Sequence, residues 1–252
     1  MTPVEKLKED LETIKTFSLR QKLRFIWEYY KTPIIAILAV IGIAFYLIST
    51  SLGQQNYALS GAMLNADPRD ETAAPALAER FLSELALDPE KFQVSINAGL
   101  TYVPNDKTQV ESNYTTMELL IAQMSGRLLD FLIGNEKTMT ALAYSEFFVD
   151  LSTVLPAEQL EKHAQRILYM DLAVLEAFKK AVENEDYEAK IDIPDPTMPE
   201  KMEKPIPILL IVDECEDVKA LYSHTTEKVV FGVAVNYPQK ENLLRFLDFL
   251  FS

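Results

Sequence analysis

TTMELLIAQMSGRLLDFLIG, residues Thr115–Gly134, is the stretch on which the fold turns. Met117, Leu120, Ile121, Met124 and Leu128 fall on one side of a 3.6-residue period, so the spacing predicts a helix near Thr115–Leu129. That helix runs straight into DFLIG (Asp130–Gly134), a run short and apolar enough for a central strand buried on both faces. A helix feeding a buried strand is the second half of a crossover unit, and the first half stands upstream. FQVSINAGLTYV (Phe92–Val103) alternates as a strand does and is closed by the turn cluster Pro104-Asn105-Asp106. Before it, Leu77, Phe81 and Leu85 give a helical stripe over about Thr72–Leu87. Before that, YALSGAMLNA (Tyr57–Ala66) reads as a buried strand ending at Asp67-Pro68. Strand, helix, strand, helix, strand predicts an α/β lobe in three layers, with a mostly parallel mixed sheet of about five strands joined by right-handed crossovers.

Downstream the pattern becomes less regular. Helical spacing is expected near Lys137–Tyr144 and again over Ala157–Glu183, followed by a proline-rich connection, Asp192–Pro207. Two further strands are expected at PILLIVD (Pro207–Asp213) and KVVFGVAVN (Lys228–Asn236), and a closing helix over Glu241–Phe251. Within a domain of residues 53–252, the region 147–206 therefore reads as a helical, proline-rich insertion.

The N-terminal side has a different character. From Thr32 to Ala66 there is no charged residue, and PIIAILAVIGIAFYLIS (Pro33–Ser49) continues apolar through Leu52. A run of about 20 such residues spans a hydrocarbon layer of about 30 Å, so a transmembrane helix is expected over 33–52. Pro33 suits a first helical position, and Trp27, Tyr29 and Tyr30 precede it where an interfacial aromatic belt belongs. Arg20, Lys22, Arg24 and Lys31 crowd the N-terminal flank, whereas the first basic residue beyond the helix is Arg69. The positive-inside rule then places the N-terminus in the cytoplasm and the C-terminal domain outside a plasma membrane crossed once. A cleaved signal would need a far shorter basic region and a small-residue site. Residues 1–32 read as a cytoplasmic amphipathic helical segment: Thr2-Pro3-Val4-Glu5 forms a capping box, and Val4, Leu7, Leu11 and Ile14 follow at helical spacing. Such a segment beside a membrane lies along the lipid bilayer, its expected partner.

The formal net charge is −14, and residues 1–32 carry +2 of it, so the remainder carries −16. So acidic a domain repels phosphate backbones, which excludes nucleic acid as a partner. One cysteine and two histidines leave no disulfide framework and no His/Cys metal cluster. No glycine-rich phosphate loop and no G-x-S-x-G, H-E-x-x-H or S-x-x-K pattern occurs, so neither a cofactor nor an enzymatic nucleophile is expected. In a parallel sheet, ligands gather at the carboxyl ends of the strands. Those ends carry Asn65, Asp67, Asn105, Asn135, Glu136 and Asp213, of which Asn65, Asp67, Asn135, Glu136 and Asp213 are the candidate ligand-binding residues. Each is equally a favoured turn or capping residue. The acidic cluster Asp213, Glu214, Glu216 and Asp217 lacks the spacing of a calcium loop.

Three stretches, ELLIAQMSGRLLDFLIGNEKTMTALAYSEFFVDLSTVL (Glu118–Leu155), VVFGVAVNYPQKENLLRFLDFLF (Val229–Phe251) and the opening strand and helix from Tyr57, resemble the extracellular solute-binding proteins of ABC transporters, the type 2 periplasmic-binding-protein-like group. The resemblance implies an α/β lobe that takes a small solute at the cell surface, in a single-pass anchored form as in Gram-positive bacteria. Such proteins clamp ligand between two lobes, and a second lobe needs about 100 residues or more, against about 50 between the matching blocks. The expected function is therefore a membrane-anchored, extracytoplasmic, non-enzymatic binding module for a small solute or an envelope protein. The competing expectation is a structural or assembly subunit of a cell-envelope membrane complex.

Overall fold

Strands β1 (Asn56–Leu64), β2 (Phe92–Leu100), β3 (Phe131–Asn135), β4 (Ile167–Asp171), β5 (Pro205–Ile211) and β6 (Val229–Val233) form one sheet in the order β2-β1-β3-β6-β5-β4. The computed structural model describes residues 55–67, 72–186 and 189–252. The predicted cytoplasmic segment and the predicted span over 33–52 lie outside those residues. Among the described residues no helix is long and apolar enough to cross a membrane.

The first half follows the crossover logic. Helix α1 (Ala73–Glu84) links β1 to β2, and α2 (Val110–Ser125) carries the chain from β2 back across β1 to β3. Both strand pairs made this way, β1–β2 and β1–β3, are parallel. Strands β6, β5 and β4 then extend the sheet entirely by antiparallel pairing. The sheet is thus six-stranded and mixed, parallel only at its start, where the sequence predicts about five strands, mostly parallel.

The added strand is β4. The sequence ILYMD lies inside the stretch predicted as helix over Ala157–Glu183, but only α4 (Ala157–Lys162), a 3-10 turn at Ala164–Arg166 and α5 (Leu172–Glu183) are helical there. A five-residue apolar run has no period of its own, and pairing decides its state. Ile167 and Leu168 lie opposite Leu210 and Leu209, covering an edge of β5 that would otherwise be open. The outer edge of β4 is met in turn by the proline-rich stretch, where Tyr169 N–H donates to Pro196 C=O (2.8 Å). Prolines lack the donor needed to propagate a sheet, which suits them to an edge.

Helices cover both faces. On one, Leu77 and Phe81 of α1, Val218 and Leu221 of α6 (Glu216–Leu221), and Leu243, Phe246 and Leu250 of α7 (Lys240–Leu250) share a core with Leu59, Met63, Phe131 and Phe231 of the sheet. On the other, Leu120 of α2, Met139 and Leu142 of α3 (Glu136–Ala143) and Leu175 of α5 pack on Ala62, Leu132, Leu168 and Leu209. Alternate residues of buried strands supply both cores, as the pleat requires. Phe131 stacks on Phe231 and Phe246, with ring centroids 5.3 and 4.8 Å apart.

Helix α1 stops at Leu85, and Ala86 takes a left-handed conformation, φ 53°. Only glycine adopts that geometry freely, so Ala86→Gly is expected to raise stability by about 1 kcal/mol, read as a higher urea midpoint at unchanged slope.

Candidate functional site

Because the chain leaves β1 toward β2 and returns past it to β3, the sheet switches direction between the carboxyl ends of β1 and β3. That is where an open α/β sheet opens a crevice for ligand. Two of the predicted residues, Asn65 and Asn135, stand on its two sides.

The chain's own polar groups fill this crevice. Asn65 takes the left-handed conformation (φ 58°) that asparagine tolerates, and its Nδ2 donates to Tyr102 C=O at 2.8 Å. The same nitrogen lies 3.3 Å from both Asn135 Oδ1 and Thr138 Oγ1. Tyr102 N–H returns a bond to Asn65 Oδ1 at 2.9 Å, and Thr138 Oγ1 donates to Tyr102 C=O. Asn135 Nδ2 donates outward to the Glu227 carboxylate. Beneath them the Tyr222 hydroxyl, buried, shares its proton between Leu64 C=O (2.9 Å) and Ile133 C=O (3.0 Å), the last turns of β1 and β3. Burial pushes the Tyr222 phenol well above its ordinary value, so it stays a neutral donor. Tyr222→Phe leaves those carbonyls without their partner, and an expected loss of about 1–3 kcal/mol would show in chemical denaturation.

The other predicted residues are placed apart. Asp67 is buried and turned toward the segment after α6: Ser223 Oγ donates to it at 3.4 Å and His224 Nδ1 lies 3.9 Å away. Glu136 opens α3 and pairs with Lys228 at 3.7 Å. Asp213 follows β5, with β6 between it and β3, so it is not part of the Asn65–Asn135 cluster. Asn105, left-handed at φ 65°, is in the turn after β2.

Above the filled crevice lies an open groove of about 500 Å³. One wall comes from the proline-rich stretch: Ile193, Pro194 and Pro196 are apolar, with Ile193 46% exposed, and Asp195 lies between the two prolines. The facing wall is polar and comes from α3: Glu136, Lys137 and Thr140. Glu227, Lys228 and Asn105 complete the rim. The carboxyl of Asp195, in this wall, is held below its usual range by hydrogen bonds from the Thr197 side chain and backbone, so it stays ionised. Thr138, Tyr102 and Tyr222 are the residues that sequence reasoning missed. Thr138 sits at capping distance from Asn135, a local signal; Tyr222 reaches the site from α6, and no local signal marks it.

A second cleft, about 490 Å³, lies between α7 and the start of α6. Arg80 sits over Phe249 at 5.6 Å and Arg166 over Phe251 at 5.3 Å. Asp217 and Glu214 neutralise these two arginines, which leaves no surplus positive charge for an anion. Cys215, beneath, has its thiol pushed up to about 11 by burial and is inert as a nucleophile. Among the described residues no group of histidine, cysteine, aspartate or glutamate side chains could hold a metal. No family model, curated protein or solved structure matches the chain.

Proposed function

We propose that the chain is a membrane-anchored, non-enzymatic binding module whose outer domain docks an extended segment of an envelope protein along the groove at the strand ends. The observation that carries this reading is the filled crevice. Asn65, Tyr102, Thr138 and Tyr222 occupy the position where a solute-binding lobe would hold its solute. What stays open is a surface groove, lined on one side by prolines and Ile193 and on the other by paired charges. Small-molecule sites enclose most of their ligand, whereas peptide sites lay a chain across side-chain pockets. The anchor rests on the uncharged run from Thr32 to Ala66 and the basic residues before it.

Thermal melting of residues 53–252 against sugars, amino acids and divalent ions tests it, because any ligand of the folded state raises the midpoint by mass action. A flat panel is expected. A saturable rise with one small solute would restore the solute-binding reading and overturn this one.

A further inference from the structure

The two edges of the sheet are finished differently. The proline-rich stretch meets the outer edge of β4, whereas β2 ends the sheet on the other side and, among the described residues, pairs with β1 alone. Asn56 N–H donates to Lys91 C=O (2.8 Å), which turns the Lys91 backbone toward β1. By the alternation of a strand Gln93 and Ser95 turn the same way, so Val94 and Ile96 direct their N–H and C=O groups outward. Exposed edges are commonly guarded by charge or by proline, and Phe92–Val103 contains neither. The open run is short. Phe92 N–H is held by Asp88 C=O (2.9 Å), and a bulge follows Asn97, where Gly99 N–H bonds Asn97 Oδ1 (2.9 Å). A cleft of about 290 Å³ lies beside this run, between α1 and β2. Pro75, Ala78, Glu79 and Leu82 line it along about 10 Å of helix, the length of about three strand residues. Phe92 and Val94 line it from the strand, packed on the core yet only half-buried.

We propose that β2 takes, as the next strand of the sheet, an extended segment of a partner protein that is apolar at alternate positions and basic beside Glu79. An open strand edge with a helix alongside is built for such an addition: the main chain pairs with the edge, and every second side chain enters the cleft. The outward groups of Val94 and Ile96 supply the pairing, and Pro75, Leu82, Phe92 and Val94 supply an apolar seat. Charge selects the occupant. Glu79 is exposed in the cleft wall, and the adjacent Arg80 pairs with Asp217 instead. The chain beyond residue 32 carries −16, which draws a basic segment in. A second copy's β2 would bring two such charges edge to edge. The cleft shares no residue with the groove at the strand ends, so this docking edge stands independently of the function proposed there.

The probe is the peptide Lys-Val-Thr-Val-Thr-Val-Lys with blocked ends, titrated into the full chain in detergent. Saturable binding is expected, with amide exchange slowed at Val94 and Ile96 but not at Gln93 or Ser95, whose N–H groups already face β1. Val94→Pro removes an outward donor and no bond to β1, and should cut affinity about tenfold or more. Glu79→Lys, at an exposed helical position that leaves the fold intact, should cut it about threefold. The same peptide with glutamate at both ends should reverse that order and prefer Glu79→Lys to wild type, which a merely structural effect would not do. Absence of saturable binding, protection confined to other amides, or equal affinity for wild type and both variants would overturn the proposal. A dimer that forms through β2 and excludes the peptide would overturn it in favour of a second copy.

Discussion

Asp171→Ala should lower the stability of the α/β domain by about 3–5 kcal/mol, a fall in melting midpoint of about 10 °C for a domain of this size. The Asp171 carboxylate is buried at the end of β4 and accepts three backbone N–H bonds: from Ala173 at 2.9 Å, capping α5, and from Glu203 and Lys204 at 2.8 and 2.9 Å. It therefore ties the last turn of an edge strand, the start of a helix and the proline-rich stretch that meets the edge. Alanine leaves all three donors without an acceptor, where each costs about 1–3 kcal/mol less whatever water recovers. The titration has a sign. Burial pushes this carboxyl up, but the amides of Glu203, Lys204 and Ala173 and the charge of Lys204 outweigh it and hold the group below its ordinary value. A carboxyl lowered in the folded state contributes stability above its unfolded pKa, and loses it as pH falls through the folded one. Urea titrations below about pH 4 should thus show wild type losing stability more steeply than Asp171→Asn. Asp130, fully buried, behaves oppositely. Desolvation raises it despite the Ser60 and Gln239 amides, so its contribution is present at low pH and lost as pH rises through the raised folded value. Asp130→Asn should lose less stability than wild type as pH rises above about 4.

Gly61→Ala is the second large effect, about 3 kcal/mol or more. A Cβ at Gly61 would stand 2.1 Å from Cζ of Phe131, closer than any contact allows. The ring cannot retreat, because Phe231 and Phe246 stack on it. Gly99→Ala is the control: its nearest neighbour would be Asn97 Oδ1 at 3.5 Å, an ordinary contact, and the change should stay within about 0.5 kcal/mol. Urea denaturation of the three proteins compares them directly. Comparable losses at both glycines would mean that the Phe131 cluster is not the rigid centre of the core.

The parallel start of the sheet was legible because its signals are local. DFLIG is β3 within a residue, and the alternation of Phe92–Leu100 is β2. Where state depends on a distant partner, the sequence misleads. Ile167–Asp171 is a strand only because Leu209 and Leu210 lie beside it, and the preceding and following helices lend it their period. Helix α2 begins at Val110 rather than Thr115 because Asn113 bonds both backbone groups of Val103 and holds the first turn against the end of β2. The candidate residues divide along the same line. Asn65 and Asn135 come together because both end neighbouring parallel strands, which the crossover pattern already implies. Asp67 follows the same strand as Asn65 but turns toward Ser223 and His224, and Asp213 follows β5, which β6 separates from β3. That the crevice is filled could not be read at all, because Tyr222 arrives from 158 residues beyond Leu64.

In the proposed function, the groove beneath Ile193–Pro196 takes an extended peptide while the crevice below stays shut. Selection of a displayed random-peptide library against residues 53–252, repeated against Thr140→Trp, tests it most directly, because an indole at Thr140 fills the groove without touching the Asn65 network. Enriched peptides are expected to bind wild type and to lose about tenfold or more in affinity for Thr140→Trp. Peptides that bind both proteins equally, or no enrichment from a well-folded domain, would contradict it.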